Sequence, residues 1–387
     1  MILISVLFAT CSNPSSSKDN SDNVTPTQAF PPVLPEEVGI NQSDLDAIWN
    51  VIENWFEAGE MPGAELLIIK DRQTVFHNSI GWKDEYEETP FENGTICQIM
   101  SMTKPITGTA VLQLVEDGLL NLDDRASDYI DAFRSTDKHN ITIRQLLQHT
   151  AGFANPGITG SITQFQSIDE LINTIAITPL NSLPGTEFLY SMASASTLTY
   201  IINYLTGVRT DIYINQNIIS LLGMDHSFCQ YDVTDYRNDI ISTFYQCDPY
   251  PVGNYIETWE PGEQTGINIF YGSSGAFSST VDYAKFLAAW ADAVLGVDET
   301  LISQELALLA LEPSPQSLAA NFPYGFLFFT SDPNNTNSIT YMGHTGVGGT
   351  AAGAFPDEDI IFVYFSQCVG TQTRFQVTNL IIDNLNL

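Results

Sequence analysis

Apolar residues recur along the chain with two periods, and the change from one to the other divides it. After Asn41-Gln-Ser-Asp, the residues Leu45, Ile48, Val51, Ile52 and Trp55 stand at helical spacing, with Ser43 as the expected N-cap. Pro62-Gly63 then turns the chain into a strand over 64–70, and a second strand over 74–81 follows a hairpin-like Asp71-Arg72-Gln73. Ile106, Ala110, Val111, Leu112, Leu114 and Val115 lie on most faces of one helix, which predicts burial all round, and Gly118 is placed to end it. A short helix over 141–150 is broken by Gly152, and helical segments follow near 168–177, 193–206 and 211–222. Residues 228–266 read as irregular, with Pro249, Pro251, Pro261 and many aromatics, before an amphipathic helix over 280–294. Strands over 339–344, 350–355 and 360–367, with turns at Gly346 and Asp357-Glu-Asp, lead to a closing helix over 373–387.

Strands therefore sit at both ends and helices in the middle. That order predicts an α+β fold (an α/β sandwich): an antiparallel sheet built from both chain ends and flanked by helices, with an inserted, mostly helical lobe. The sheet lobe is expected over about 34–95 and 275–387, the helical lobe over about 96–274, and no internal repeat interrupts them.

Charge narrows the partners. The 387 residues carry 46 acidic side chains against 13 basic ones, a net charge of −33. Nucleic acid is excluded as a partner, because phosphate contacts need Lys and Arg, and a polybasic membrane patch is missing too. The rest reads as a hydrated acidic surface that favours solubility, and a monomer acting on a small molecule or peptide is expected.

The first ten residues form an apolar run too short to span a bilayer, followed by Cys11 and a Ser/Asn/Asp-rich stretch to about residue 33. The pattern is similar to a bacterial lipoprotein signal with a disordered tether, and Cys11 is the candidate for lipidation and a lipid anchor. It departs from that pattern in having no Lys or Arg before the run and Thr10 before Cys11. Export to the periplasm or cell envelope would let disulfides persist. Cys229 and Cys247 are then the expected pair, while Cys97 and Cys368 read as buried apolar residues.

Candidate chemistry begins at Ser101 and Lys104, three residues apart at the mouth of the apolar helix, where they share a face. The spacing alone decides nothing, since Ser15–Lys18 and Ser135–Lys138 repeat it, but neither of those opens an apolar helix. Lys104 can serve as a base if burial depresses its pKa. Tyr190, after the Pro184-Gly185 turn and before a helix, can pass a proton to a leaving group, although most of the sixteen tyrosines are packing residues. His344-Thr345-Gly346 ends a predicted strand, where a substrate backbone can approach the glycines closely. His149 follows a helix and is assigned a structural role. No His or Cys cluster has metal-ligand spacing and no Gly-rich phosphate loop follows a strand, so neither metal nor cofactor is expected.

Taken together and in order, Ser101-Met-Thr-Lys104, Tyr190-Ser-Met and His344-Thr-Gly resemble the signature of the penicillin-recognising serine hydrolases. The chain from about residue 34 onward is similar to the class C β-lactamase and DD-peptidase family, with its esterase and D-aminopeptidase branches. Leu119-Leu-Asn-Leu-Asp-Asp, Leu146-Leu-Gln-His-Thr-Ala-Gly-Phe and Ser274-Gly-Ala-Phe-Ser-Ser-Thr-Val-Asp-Tyr-Ala-Lys-Phe are further landmarks.

The resemblance implies Ser101 as nucleophile, with Lys104 and Tyr190 as base and acid, their order open. It implies the backbone N–H groups of Ser101 and Val347 as oxyanion hole, and His344, Thr345, Gly346 and Met192 as substrate-binding residues. Two departures stand out: Met192 replaces an Asn, and His344 replaces a Lys. Both argue against an efficient β-lactamase and leave open DD-peptidase-like, D-amino-acid peptidase or ester-hydrolysing activity, of which carboxylic esters or D-amino-acid amides are the expected substrates. A weak β-lactamase or DD-carboxypeptidase, and a non-catalytic ligand-binding lipoprotein, are the alternatives. If His344 meets a substrate carboxylate, activity should fall as it deprotonates near ~6.5. Tyr245, Tyr255 and Trp259 are expected at the rim of the cleft.

Overall fold

The computed structural model describes residues 29–154, 162–247, 253–331 and 340–387. Cys11 and the lipoprotein-like segment lie outside the described residues, as do Pro249, Pro251 and Ile339.

Leu66-Leu67-Ile68-Ile69 gives the strand Gly63–Lys70 apolar side chains on both faces, and both faces are covered. Leu66 and Ile68 pack with Leu45, Ile48 and Ile52 of the helix Gln42–Glu57 and with Val377 and Ile381 of the helix Thr373–Leu385. Leu67 and Ile69 face the opposite core with Tyr283, Phe286 and Leu287 of the helix Thr280–Leu295. The same alternation runs through Ile360–Ser366, where Phe362 and Tyr364 join the first core and Val363 and Phe365 the second.

These two strands are paired antiparallel, Ala64 opposite Ser366, so the two ends of the chain close one sheet. The sheet has seven strands in the order Thr89–Pro90, Gln73–Asp84, Gly63–Lys70, Ile360–Ser366, Thr350–Phe355, Met342–Gly346 and Phe329–Thr330. The α+β architecture with an antiparallel sheet is thus as expected. The hairpin turn at Asp71-Arg72 holds both residues at positive φ, 51° and 59°, as the twist of a tight hairpin demands, although neither is a glycine. The first helix starts at Gln42 with Asn41 at the N-cap, so Ser43 lies inside the first turn rather than capping it.

Between the sheet's two halves, the helix Thr103–Glu116 runs through the interior with Thr103 to Leu112 all buried, and it packs on the helix Met192–Thr206. Residues 228–266 are more regular than their composition suggested. Phe228–Cys229 joins a small sheet with Cys97–Gln98 and Ala276–Ser278, while Phe244–Gln246 joins Ile256–Trp259 and Cys368–Val369 in another. Phe244, Trp259, Phe228 and Phe277 form a satellite core against Met100, and Tyr245 is fully buried. Trp259 and Tyr245 are therefore packing residues rather than rim residues; Tyr255 is half-buried.

The disulfide joins Cys247 to Cys368, not to Cys229. Cys368 pairs in parallel opposite Tyr245, and the Cys247 N–H donates to Val369 O at 2.8 Å, so long-range strand pairing brings the two thiols together. Cys229 stays a buried free thiol in the other small sheet, as does Cys97.

Candidate active site

Ser101 sits in a single 3₁₀ turn, Met100–Met102, that feeds directly into the buried helix. Met100 is held at φ 47° on the satellite core, so the turn that presents Ser101 is set by packing on a left-handed residue. Behind it, the strand Met342–Gly346 approaches so closely that a Cβ on Gly346 would strike the Ile99 carbonyl and Thr350 Oγ1. The hydroxyl of Thr350 in turn donates to Ile99 O at 3.3 Å. The third motif thereby lies against the segment that carries Ser101.

One turn along, Lys104 is 1% exposed, and its Nζ donates to Ser101 Oγ at 3.0 Å and to Ser273 O at 3.0 Å. No carboxylate pairs with it among the described residues. An ammonium buried without a counter-ion loses its hydration, and burial brings Lys104 down to about 7. Near neutral pH the amine can therefore accept the Ser101 proton. The Tyr190 ring lies 4.7 Å from Nζ, and Ser101 is the polar neighbour that counters part of the rise in its phenol's pKa. Burial pushes the Tyr190 phenol the other way, well above its usual value, so it stays protonated. Burial thus pushes the two groups beside Ser101 in opposite directions, toward a neutral amine and a neutral phenol.

His344 takes a different place from the one expected. Along the strand, Thr345 faces outward and half-buried while His344 turns inward and is 1% exposed, stacked 4.4 Å from the Phe329 ring. Its Nδ1–H donates to Thr345 O at 2.7 Å, which leaves Nε2 to accept from the Tyr324 hydroxyl at 3.1 Å. Burial, then the Lys104 charge, hold the imidazole down at about 3, which overturns the expected titration near ~6.5. With both nitrogens engaged, no ring N–H remains for a substrate carboxylate.

Met192 opens the helix Met192–Thr206 and packs half-buried against the main core. Val347 follows the strand and is exposed; its carbonyl accepts a hydrogen bond from Arg374 at 3.1 Å.

Arg374 was not singled out in the sequence. Its Nη1 donates to Val347 O and to Thr371 O at 2.9 Å, it pairs with no carboxylate among the described residues, and burial lowers its pKa. In so acidic a chain an unpaired guanidinium is unusual, and its neighbour Val347 is next to the third motif. The sequence did hold a signal: no Asp or Glu occurs between Asp359 and Asp383. His149, assigned to structure, also lies at the site, its ring 4.6 Å from that of Tyr190.

A buried amine hydrogen-bonded to a hydroxyl, with a phenol ring packed over the amine, is thus gathered at the turn that opens the buried helix. The sequence profile described as "Beta-lactamase" matches residues 49–386, and the chain belongs to that family, whose fold is that of serine hydrolases. It is 30% identical over 213 residues to the "Putative D-alanyl-D-alanine carboxypeptidase" of Escherichia coli (strain K12), covering 50% of this chain and 49% of that protein. The chain thus spans about half the length of the curated relatives it matches. Among solved structures, "EstCE1, a hydrolase with promiscuous acyltransferase activity" superposes with a TM-score of 0.75 at 21% identity, over 89% of this chain and 98% of that one. D-amino acid amidase from Ochrobactrum anthropi SV3, complexed with L-phenylalanine amide, superposes with a TM-score of 0.72 at 16% identity, over 89% and 99%. At these identities the two superpositions speak to the fold alone.

Proposed function

We propose that the protein hydrolyses carboxylic esters or D-amino-acid amides through an acyl-enzyme on Ser101. The observation that carries this is the uncompensated Lys104 amine, hydrogen-bonded to Ser101 and brought by burial to about 7. Lys104 takes the Ser101 proton as Oγ attacks the substrate carbonyl. The tetrahedral oxyanion is held by the backbone N–H groups of Ser101 and Val347. As the bond to the leaving group breaks, Tyr190 gives that group its proton, and the ammonium of Lys104 returns a proton to Tyr190. Water then attacks the acyl-enzyme by the same steps in reverse.

Phe188 and the exposed Phe322, their rings 5.5 Å apart beside Tyr324, support an apolar acyl group next to Tyr190. The D-amino acid amidase and EstCE1 share this fold, which supports amide or ester substrates without choosing between them. A second reading, a DD-carboxypeptidase, is favoured by the unpaired Arg374, a ready partner for a substrate carboxylate, and by the name of the Escherichia coli relative. The Cys247–Cys368 disulfide supports export to an oxidising cell-envelope compartment.

A panel of p-nitrophenyl esters, nitrocefin, D-alanine amides and a D-Ala-D-Ala peptide tests the assignment. Turnover of the esters or amides well ahead of nitrocefin is expected. Turnover of nitrocefin alone would overturn it.

A further inference from the structure

His149 encloses the backbone of Tyr190 from both sides. Its carbonyl accepts from the Leu189 N–H at 2.8 Å, and its Nδ1 accepts from the Ser191 N–H at 3.3 Å, so one residue holds both neighbours of the phenol. Its ring lies against the Tyr190 ring at 4.6 Å. Thr142 and Gln145 start the preceding helix Ile143–Leu147 with a reciprocal capping box, and the chain then leaves it with His149 at φ 53°. From that point the backbone serves as a template for the loop leading to Tyr190. Thr150 O accepts from Gly185 N at 2.7 Å, and Gly152 O accepts from Asn181 N at 2.8 Å. Ser191 finally caps the helix Met192–Thr206 through its Oγ, which accepts from Ala193 N at 3.1 Å.

The imidazole is an expensive choice for this place. Because Nδ1 accepts, the proton of the neutral ring lies on Nε2, and that buried N–H has no partner among the described residues. A phenylalanine would fill the same space without an unsatisfied donor. What the imidazole adds is the acceptor that fixes Ser191, one residue beyond the phenol.

We infer that His149 is a positioning residue for the acid step: by clamping the chain on both sides of Tyr190 it sets the reach of the phenol to the leaving group. The inference rests on the proposed role of Tyr190 as proton donor. Misplacing a reacting group by about 1 Å costs on the order of 10²-fold, so the loss of one anchor is measurable.

The test compares kcat/KM for an ethyl ester and a p-nitrophenyl ester of the same acid, because ethoxide needs a proton to leave and p-nitrophenolate does not. His149→Phe should lower kcat/KM for the ethyl ester by ~10–100-fold and for the p-nitrophenyl ester by no more than a few-fold. His149→Asn, whose amide oxygen can stand where Nδ1 stands and which accepts a left-handed backbone, should recover most of the loss. In a Tyr190→Phe background, His149→Phe should cost nothing further. Should His149→Phe not fold, His149→Leu is read in the same way. Equal losses on both esters, no recovery by Asn, or additive losses in the Tyr190→Phe background would overturn the inference. If wild-type protein turns over neither ester and a fluorophosphonate leaves Ser101 unlabelled, the reading of the whole site falls and this inference with it.

Discussion

Lys104 Nζ donates to Ser101 Oγ at 3.0 Å while meeting no carboxylate among the described residues. Desolvation without a counter-ion brings this amine to about 7, so its protonation state changes in the range where the enzyme would work.

The pH profile follows from that. Lys104 must be neutral to accept a proton, so kcat/KM for a neutral ester should fall about tenfold per pH unit below about 7. His344, held down at about 3, contributes nothing in this range. A profile of His344→Gln should therefore keep the same limb. Disappearance of the limb in that variant would assign it to the imidazole instead.

Stability should rise with pH, as activity does. Between its folded value of about 7 and its unfolded value of ~10.4, Lys104 binds more protons in the unfolded chain than in the folded one. Its burial therefore destabilises the fold at neutral and lower pH, and the penalty shrinks as pH rises toward ~10.4. Lys104→Met should abolish turnover and raise Tm at pH 6, with a gain on the order of 1–3 kcal/mol. The gain should diminish at pH 9. A Met variant that melts lower at pH 6 would count against the uncompensated charge.

On the DD-carboxypeptidase reading, Arg374 would supply the positive charge that His344 does not. Arg374→Gln keeps an N–H donor for the Val347 carbonyl but removes the charge. KM for a substrate bearing a carboxylate should rise by ~10–100-fold, from a lost charge-assisted pair of ~1.5–3 kcal/mol, with neutral esters little changed. Equal effects on both substrates would mean that Arg374 only supports the turn.

For the disulfide, peptide mapping without reduction should recover Cys247 linked to Cys368, with Cys97 and Cys229 alkylated only after unfolding. Cys368→Ser should lower stability by ~2–5 kcal/mol.

Much of this site was legible in the sequence because local pattern and chemistry coincide there. Ser101 and Lys104 stand one helical turn apart on an apolar run whose burial was itself readable from Ile106 to Val115. The apolar strands 64–70 and 360–367 and their place in one sheet were readable for the same reason, although their register was not, because it depends on which faces the helices cover. The misreadings share one cause. Cys229–Cys247 was favoured by nearness in sequence, whereas Cys368 reaches Cys247 across a separation of 121 residues. His344 was expected to line the pocket and meet a substrate carboxylate, and its burial comes from Tyr324 and Phe329 on a neighbouring segment. His149 looked inert because its partners, Leu189 and Ser191, lie some forty residues on.

The central claim is that Ser101 becomes acylated with Lys104 as its base. Intact-mass spectrometry after brief exposure to a fluorophosphonate at pH 8 tests it most directly. One adduct, mapped to Ser101, is predicted for the wild type, with none on Ser101→Ala and far slower labelling of Lys104→Met. An adduct of equal rate on Ser101→Ala, or no adduct on folded wild type, would contradict it.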